Sequence, residues 1–227
     1  MRVRNFLVAT ALVAGVMVFA GCNDRSNDND NENNVTTPNV EDVTTIGSSS
    51  DYVDDSPVAG VSRGVWNGDV YTNAYLDMSF TLPEGWNVLS DAEVAALLGL
   101  GLDFFEFNLP GDADLFTDIY VQDPNTGNNV QIIFERLHPL LSGIPTDVFV
   151  EFASEGIEDI GGTVDLNFPI TRIGSYDWHS FGTELSFSGT VAYGRQFINI
   201  QDDIIRYIII TYFDDVQVVD DVLNMFN

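Results

Sequence analysis

The sequence predicts an α+β fold in which an antiparallel sheet is flanked by about three helices. Three observations predict this fold. Apolar stretches of strand length are bounded by turn residues, stretches with helical periodicity lie between them, and the last third of the chain consists mostly of strand patterns. We assign the fold to residues 61–227, which have the size and apolar content of a single domain with one core.

The first part of this domain is expected to hold strands, a capped helix and a hairpin. The strands before the helix are expected at Gly64–Tyr71, Met78–Leu82 and Trp86–Leu89. Ser90 and Glu93 have the spacing of a capping box, so a helix should begin there. The segment DPNTGNN is rich in turn residues, and its flanks Thr117–Gln122 and Val130–Arg136 should therefore pair as a hairpin.

The second part is expected to be a helix, four strands and a closing helix. Pro145 opens the first of these helices, and its buried face should hold Phe149, Phe152, Ala153, Ile157 and Ile160. The strands should be Gly162–Arg172, Tyr176–Phe187, Thr190–Ile200 and Ile204–Phe213. The last of them is apolar enough to be a central strand covered on both faces. The closing helix follows Asp214 and Asp215, and its buried stripe should be Val216, Val219, Leu223 and Phe226.

The start of the chain has the layout of a secretory signal peptide over residues 1–21. Two arginines precede the apolar run Phe6–Ala20, which is short for a membrane-spanning helix. The only cysteine, Cys22, comes directly afterwards. The residues FAGC that end at Cys22 resemble the lipobox of bacterial lipoproteins. An ordinary signal peptide followed by an incidental cysteine is the alternative.

The lipobox resemblance implies that Cys22 becomes the first mature residue and carries a covalent diacylglycerol, with an acyl chain such as palmitate added at its amino group. Two lipid chains bury many methylenes at about 0.8 kcal/mol each and therefore anchor a protein stably. The expected location is the extracytoplasmic face of a bacterial cell membrane. A single cysteine also excludes an internal disulfide or a Cys-rich zinc site.

Residues 22–60 hold the lipidated cysteine and an acidic, Asn/Ser-rich linker with too little apolar surface to fold. Without residues 1–21 the chain keeps 35 acidic and 6 of its 8 basic side chains, a formal charge of −29. Such a charge makes nucleic acid a poor partner. The lack of lysine in so acidic a chain suggests adaptation to high salt, and codon bias is the other explanation.

A second resemblance concerns the folded domain. The segment VYTNAYLDMSFTLPEGWNVLSDAEVAALLG joins tyrosines, an F-x-x-P-x-x-W core and a capped helix, an order similar to a segment of Gram-positive surface lipoproteins. The closing strand hairpin and short helix are similar to the PsbP-like fold of photosystem extrinsic proteins and their bacterial relatives. The resemblance touches most of residues 64–227 and implies a PsbP-like sandwich and a non-enzymatic binding or assembly module. It places no metal ligand on this chain.

Motifs that carry chemistry are missing from the sequence. There is no G-x-S-x-G elbow, H-E-x-x-H pair, phosphate loop or dinucleotide loop, and no lysine for a Schiff base. We therefore assign no catalytic residue, no metal ligand and no cofactor beyond the diacylglycerol on Cys22. Calcium is a weak possibility, because Asp112, Asp114, Asp123 and Asn125 are conceivable ligands that turn chemistry explains equally well.

The histidines and aromatic side chains give the remaining candidates. His138 precedes a proline in a loop, whereas alternation places His179 and Asp177 on one face of a strand and Trp178 on the other. A His–Asp pair can orient an imidazole for general-base work, and a solvated strand face is the simpler interpretation. Phe104, Phe105 and Phe107 are expected in a loop after the first helix, as a docking patch or as a plug at the end of the core.

The candidate binding surface is therefore Phe104, Phe105, Phe107, Trp178 and His179. The function expected from the sequence is a lipid-anchored extracytoplasmic binding or assembly module without catalytic activity, which docks an unidentified envelope protein or ligand. One alternative is a small extracytoplasmic hydrolase that uses clustered carboxylates. The other is a solute-binding lipoprotein, for which this domain is short.

Overall fold

A computed structural model of the chain describes residues 58, 60–94, 115–187 and 189–227. The signal peptide, Cys22, nearly all of the linker and the segment 95–114 lie outside these residues. The described strands are β1 (Val65–Asn67), β2 (Val70–Asn73), β3 (Met78–Thr81), β4 (Asn87–Val88), β5 (Leu115–Gln122), β6 (Asn129–Arg136), β7 (Thr163–Asp165), β8 (Thr171–Ile173), β9 (Tyr176–Phe187), β10 (Thr190–Gln201) and β11 (Ile204–Tyr212). The helices are α1 (Thr146–Asp159), α2 (Gln217–Leu223) and the short 3₁₀ helix Pro139–Leu141, and residues 91–94 are helical too.

Two antiparallel sheets form the described part of the molecule. The small sheet has the order β1-β2-β3, and the large one has the order β4-β5-β6-β11-β10-β9-β7, with β8 also paired to β9. Strands β9, β10 and β11 follow one another in the sequence and form two long hairpins. Between β10 and β11 only Asp202 and Asp203 remain unpaired, and both have positive φ, which suits aspartate and a two-residue hairpin turn. The predicted α+β fold on an antiparallel sheet is confirmed.

The large sheet has a separate apolar core on each of its faces. Core A lies on the face that carries the small sheet and α2, and core B lies on the face that carries α1. Core A includes Tyr71, Phe80, Phe134, Trp178, Phe197 and Ile208. Core B includes Phe149, Ile157, Phe181, Ile198 and Tyr207. Strand β11 contributes alternate side chains to both cores, so the prediction of a central strand covered on both faces is confirmed.

The chain end completes the small sheet. The N–H of Ser79 donates to the C=O of Asn227 at 2.8 Å, and the N–H of Asn227 donates back to the C=O of Ser79 at 3.0 Å. Beside them the rings of Phe80 and Phe226 are in contact, with centroids 4.9 Å apart. Residues 225–227 therefore close core A from the edge of β3.

The structure corrects two predicted strands. The stretch Gly64–Tyr71 is not one strand, because Gly68 has φ +60° and turns the chain between β1 and β2. The stretch Gly162–Arg172 is also interrupted. Its ends are β7 and β8, and the exposed loop between them contains Pro169, which has no N–H to give to a sheet.

The helices follow the predicted faces with two exceptions. Phe152 is exposed on α1, where Val150 and Ser154 complete the buried stripe, and Val216 is exposed ahead of α2, where Val222 is buried instead. The capping box is confirmed. The N–H of Ser90 donates to Oε2 of Glu93 at 2.7 Å, and the N–H of Glu93 donates to Oγ of Ser90 at 3.4 Å.

Candidate functional site

The residues predicted from the sequence have different positions in the structure. Cys22, Phe104, Phe105 and Phe107 lie outside the described residues, and their roles stay predictions. Trp178 is fully buried in core A, where its indole N–H donates to the C=O of Ile173 at 3.1 Å. The structure therefore places Trp178 in the core and not on the binding surface to which the sequence assigned it.

His179 lies on the other side of β9, half-buried, with Ile198 as its register partner on β10. Asp177 is exposed, and its carboxylate forms an ion pair with Arg172, with Nη1 and Oδ1 3.1 Å apart. Between Asp177 and His179 no hydrogen bond occurs in the described part of the chain. The arrangement that would orient the imidazole for general-base work is thus not formed in this structure.

The other polar candidates take part in turns. The Nδ1 atom of His138 accepts a hydrogen bond from the N–H of Leu140 at the start of the 3₁₀ helix. Asp123 accepts hydrogen bonds from the N–H of Asn125 at 2.8 Å and from the hydroxyl of Thr126 at 2.8 Å. Slight burial raises the pKa of Asp123, and these hydrogen bonds outweigh it and lower the pKa below the usual aspartate value. Within the described ranges no group of three His, Cys, Asp or Glu side chains is placed to hold a metal ion.

A polar cluster around Asp118 joins the small sheet to the large one. Asp118 is the extra residue of a β-bulge in β5, between Thr117 and Ile119. Its carboxylate accepts hydrogen bonds from the N–H of Gly64 at 3.1 Å, from Nδ2 of Asn73 at 2.7 Å and from the hydroxyl of Tyr71. Burial raises the pKa of Asp118, although the three donors and the nearby charge of Arg63 oppose the rise.

The same cluster fixes the path of the chain at Gly64. A Cβ atom at this position would overlap the ring of Tyr71, so that only glycine fits. Burial, followed by the charge of Asp118, raises the pKa of Tyr71 far above the usual tyrosine value, so the phenol stays protonated and donates. The cluster is a structural joint between the sheets.

Two arginines are buried on the core A face of the large sheet, and they differ in how well their guanidinium groups are satisfied. Arg206 lies between the rings of Tyr75 and Tyr176, at 4.7 and 4.4 Å from their centroids. It donates to Oδ1 of Asn199 at 3.2 Å, to Oε1 of Gln201 at 3.3 Å and to the hydroxyl of Tyr75 at 3.2 Å. Among the described residues its buried Nε has no hydrogen-bond partner. Arg206 is nevertheless held by neutral partners and is a structural residue.

Arg195 has fewer partners. Only 9% of its surface is exposed, its Nη2 donates to the hydroxyl of Ser180 at 3.1 Å, and its buried Nε has no hydrogen-bond partner. No carboxylate of the described residues lies within ion-pair distance of it. Burial lowers the pKa of Arg195 to about 10, and Tyr212, Asp165 and Asp220 oppose this shift. The group is thus a buried cation at neutral pH that no anion of the described residues pairs with.

The guanidinium of Arg195 reaches the outer edge of the large sheet. Its register partner on β9 is Gly182, and the missing side chain leaves room above that strand. Phe168, from the loop between β7 and β8, stacks on the guanidinium with 2.9 Å between Cζ and the ring centroid. A Cβ atom on Gly182 would lie only 3.1 Å from the Phe168 ring. Arg195 is consequently covered from outside by a single aromatic ring.

The loop that supplies this ring, 166–170, is apolar and exposed. Leu166, Phe168 and Ile170 are 47, 37 and 57% exposed, respectively. The N–H and Nδ2 of Asn167 both donate to Oδ1 of Asp165 at 2.9 Å, a turn that holds the start of the loop. Three large apolar side chains on five consecutive residues form an exposed patch of the kind that marks interaction surfaces.

The same loop runs past a stretch of β9 that has no described strand partner on its outer side. Strand β7 pairs with residues 182–184 of β9, and β8 pairs with residues 176–178, so residues 179–181 have no outer strand among the described residues. Ser180 and Phe181 are nevertheless only 5 and 0% exposed, so this stretch of β9 is covered. We call the loop 166–170, Arg195, Ser180 and Gly182 the edge site.

Sequence reasoning missed the centre of this site. The sequence signal for Arg195 is a single charge inside the apolar strand Val191–Ile200, at a position where alternation points to the core. The signal for the loop is LNFPI, in which large apolar residues alternate around Asn167 and Pro169. Neither signal shows that Arg195 and the loop meet. Their contact depends on how β9 pairs with β10 on one side and with β7 on the other.

Among the described residues no helix is long and apolar enough to span a membrane. No family model matches the chain, and no curated protein matches its sequence. Solved structures similar to it have low identity. A protein of Bacteroides thetaiotaomicron VPI-5482 is 12% identical with a TM-score of 0.37, and the match covers 66% of this chain and 44% of that chain. The match therefore spans less than half of the Bacteroides protein.

Two further similar structures come from other bacteria. LpqN of Mycobacterium tuberculosis, a protein involved in cell envelope biogenesis, is 12% identical with a TM-score of 0.39, covering 65% of this chain and 78% of that one. PsbP (CyanoP) of Synechocystis sp. PCC 6803 is 15% identical with a TM-score of 0.35, covering 74% and 98%. PsbP is the family that the sequence motifs resemble. These loose overlaps establish neither a family nor a function for the chain.

Proposed function

We propose that this protein is a lipid-anchored binding module on the extracytoplasmic face of a bacterial membrane, and that it docks an envelope partner through the edge site. The membrane part of the proposal rests on the sequence: the signal peptide over residues 1–21, Cys22 in a lipobox-like context and the acidic linker up to residue 60. Such a linker gives the folded domain a reach of roughly 35 Å from the anchor.

The single observation that supports the docking part is the edge site itself. An exposed apolar loop lies beside a buried arginine that no carboxylate of the described residues pairs with, on one margin of the large sheet. An exposed apolar patch of this kind favours burial against a partner.

The test is site-specific photo-crosslinking in the cells that produce the protein. A photoreactive residue replaces Ile170 in the edge site or, as a control, Leu140, an apolar residue that is 75% exposed in the 3₁₀ helix away from this edge. We expect one discrete adduct from position 170, none from position 140, and loss of the adduct in the Cys22→Ser variant, which lacks the anchor. Equal adducts from both positions, or none from position 170, would overturn the proposal.

A further inference from the structure

We propose that the exposed loop 166–170 of the edge site docks a basic segment of a protein partner, one that combines apolar side chains with arginine or lysine. The inference rests on the proposed docking function and deepens it, because it names the chemistry of the partner at that site. It is supported by the exposure of the loop, by its ordered conformation and by the acidic side chains beside it.

The loop presents apolar side chains to water. Each of its five residues is exposed, and Leu166 and Ile170 at its two ends are more exposed than Phe168 at its centre. In the described part of the chain, neither Leu166 nor Ile170 packs into core A or core B. A partner that covers these two side chains therefore gains apolar burial without taking either of them from a core.

The loop is held in this exposed position. At its start Oδ1 of Asp165 accepts two hydrogen bonds from Asn167, and the N–H of Phe168 donates to the C=O of Leu166 at 2.9 Å. At its centre the Phe168 ring lies on the guanidinium of Arg195. A loop that is already ordered loses little conformational entropy when a partner binds, so more of the burial appears as affinity.

The exposed charges next to the loop are acidic. Asp165 begins the loop, and Glu184 is exposed on β9 where that strand pairs with β7. The exposed Arg172 is already in an ion pair with Asp177, and Arg195 is buried. Within the described ranges, no arginine forms an ion pair with Asp165 or Glu184. Both carboxylates are therefore available to a cationic side chain of a partner.

The charge of the surrounding chain has the same sign. Residues 146–187, from the start of α1 to the end of β9, hold eight acidic side chains and one arginine. Helix α1 packs on β7 and β9, so these residues lie on the same side of the domain as the loop. Anionic lipid or a second copy of this chain would bring further negative charge against this surface, whereas a basic partner is attracted to it.

The experiment uses the purified full-length chain and the peptide acetyl-LRLRL-amide, which combines apolar side chains with positive charge. Acetyl-SRSRS-amide keeps the charge without the apolar side chains, and acetyl-LQLQL-amide keeps the apolar side chains without the charge. The methyl signals of Ile170 are followed by NMR during each titration, with those of the exposed Leu140 in the 3₁₀ helix as the internal control.

The expected result is a saturable shift of the Ile170 signals and no shift of the Leu140 signals. Acetyl-LRLRL-amide should bind roughly tenfold or more tightly than either comparison peptide, because only this peptide offers both the apolar contact and the charge.

Two charge variants of matched composition test the acidic side chains. Asp165→Asn/Glu184→Gln removes the charges beside the loop and should weaken binding of acetyl-LRLRL-amide roughly fivefold or more. Asp69→Asn/Glu84→Gln removes the same charges from two exposed turns next to the small sheet and should change binding less than about twofold. All four side chains are exposed, and Asp165→Asn keeps the oxygen that accepts from Asn167.

Four results would overturn the inference. Equal weakening by the two charge variants, or equal binding of acetyl-SRSRS-amide, would show adsorption to the overall negative charge. Equal binding of acetyl-LQLQL-amide would show that the partner need not be basic. A shift of the Ile170 signals by phosphatidylcholine vesicles would identify a bilayer as the occupant, and an unshifted Ile170 signal with acetyl-LRLRL-amide would exclude the proposed chemistry. If the crosslinked adduct from position 170 persists in any of these cases, the docking function itself stands.

Discussion

Replacing Asp118 by alanine should destabilise the protein more than any comparable change in an exposed turn. The variant leaves three donors without their acceptor: the N–H of Gly64, Nδ2 of Asn73 and the hydroxyl of Tyr71. Asn73 and Tyr71 are both buried, so water does not replace the carboxylate easily. The physical question is how much of this loss is offset by removing a charge that burial disfavours.

The expected magnitude follows from these contacts. A buried donor left without a partner costs roughly 1 kcal/mol or more, so three donors cost about 3 kcal/mol. Removing the partly desolvated carboxylate offsets part of this cost, and the net loss in the free energy of unfolding should be about 2–3 kcal/mol. For a folded domain of this size, that loss lowers Tm by roughly 4–12 °C.

The assay is urea unfolding of the purified protein followed by tryptophan fluorescence, with Tm from calorimetry. Trp66 is a suitable reporter because its ring lies 5.5 Å from that of Tyr71. Asp123→Ala is the matched control, since Asp123 also accepts several hydrogen bonds but lies in an exposed turn where water can replace it. Its loss should stay below about 1 kcal/mol. Equal losses in the two variants would refute the role of burial at Asp118.

Three further predictions concern pH, glycine geometry and salt. Burial raises the pKa of Asp118 in the folded state, so the contribution of Asp118 to stability is most favourable below the unfolded pKa of about 3.9 and declines as pH rises through the folded pKa. Urea unfolding across this pH range should therefore show the wild type losing stability relative to the Asp118→Asn variant. A difference in stability that stays constant with pH would contradict this. By urea unfolding, Gly174→Ala should lose about 1–3 kcal/mol more stability than Gly143→Ala. Both glycines have positive φ, but only at Gly174 would an added Cβ lie 2.9 Å from the Cβ of Met78. Equal losses would show that backbone strain alone sets the cost. With a net charge of −27, the protein should gain stability between low salt and about 1 M NaCl, and an unchanged Tm would exclude self-repulsion as a significant term.

Much of the fold could be predicted because its signals are local. Strand β9 has the predicted bounds Tyr176–Phe187, since turn residues stand at both of its ends. The turn between β5 and β6 and the capping box at Ser90 are likewise read from a few neighbouring residues. Where prediction failed, at Gly68 and Pro169, the local signal was present but the long apolar pattern around it was given more weight.

The centre of the candidate site could not be predicted, because it depends on contacts between distant segments. Arg195 reaches the edge of the sheet only because Gly182 is its register partner, and its cover comes from Phe168 in a loop that precedes both strands. The bulge that turns Asp118 toward Tyr71 is set by a one-residue shift between β5 and β6. Composition and periodicity carry no information about such registers.

The pairing of residues 225–227 with β3 bears on when the domain can fold. It joins segments that are far apart in the sequence, since Ser79 exchanges two hydrogen bonds with Asn227. Core A is complete only when this contact has formed, because Phe226 closes it against Phe80. Contacts of long sequence separation carry a high loop-closure cost, so we expect the local hairpins of β9, β10 and β11 to form before core A closes.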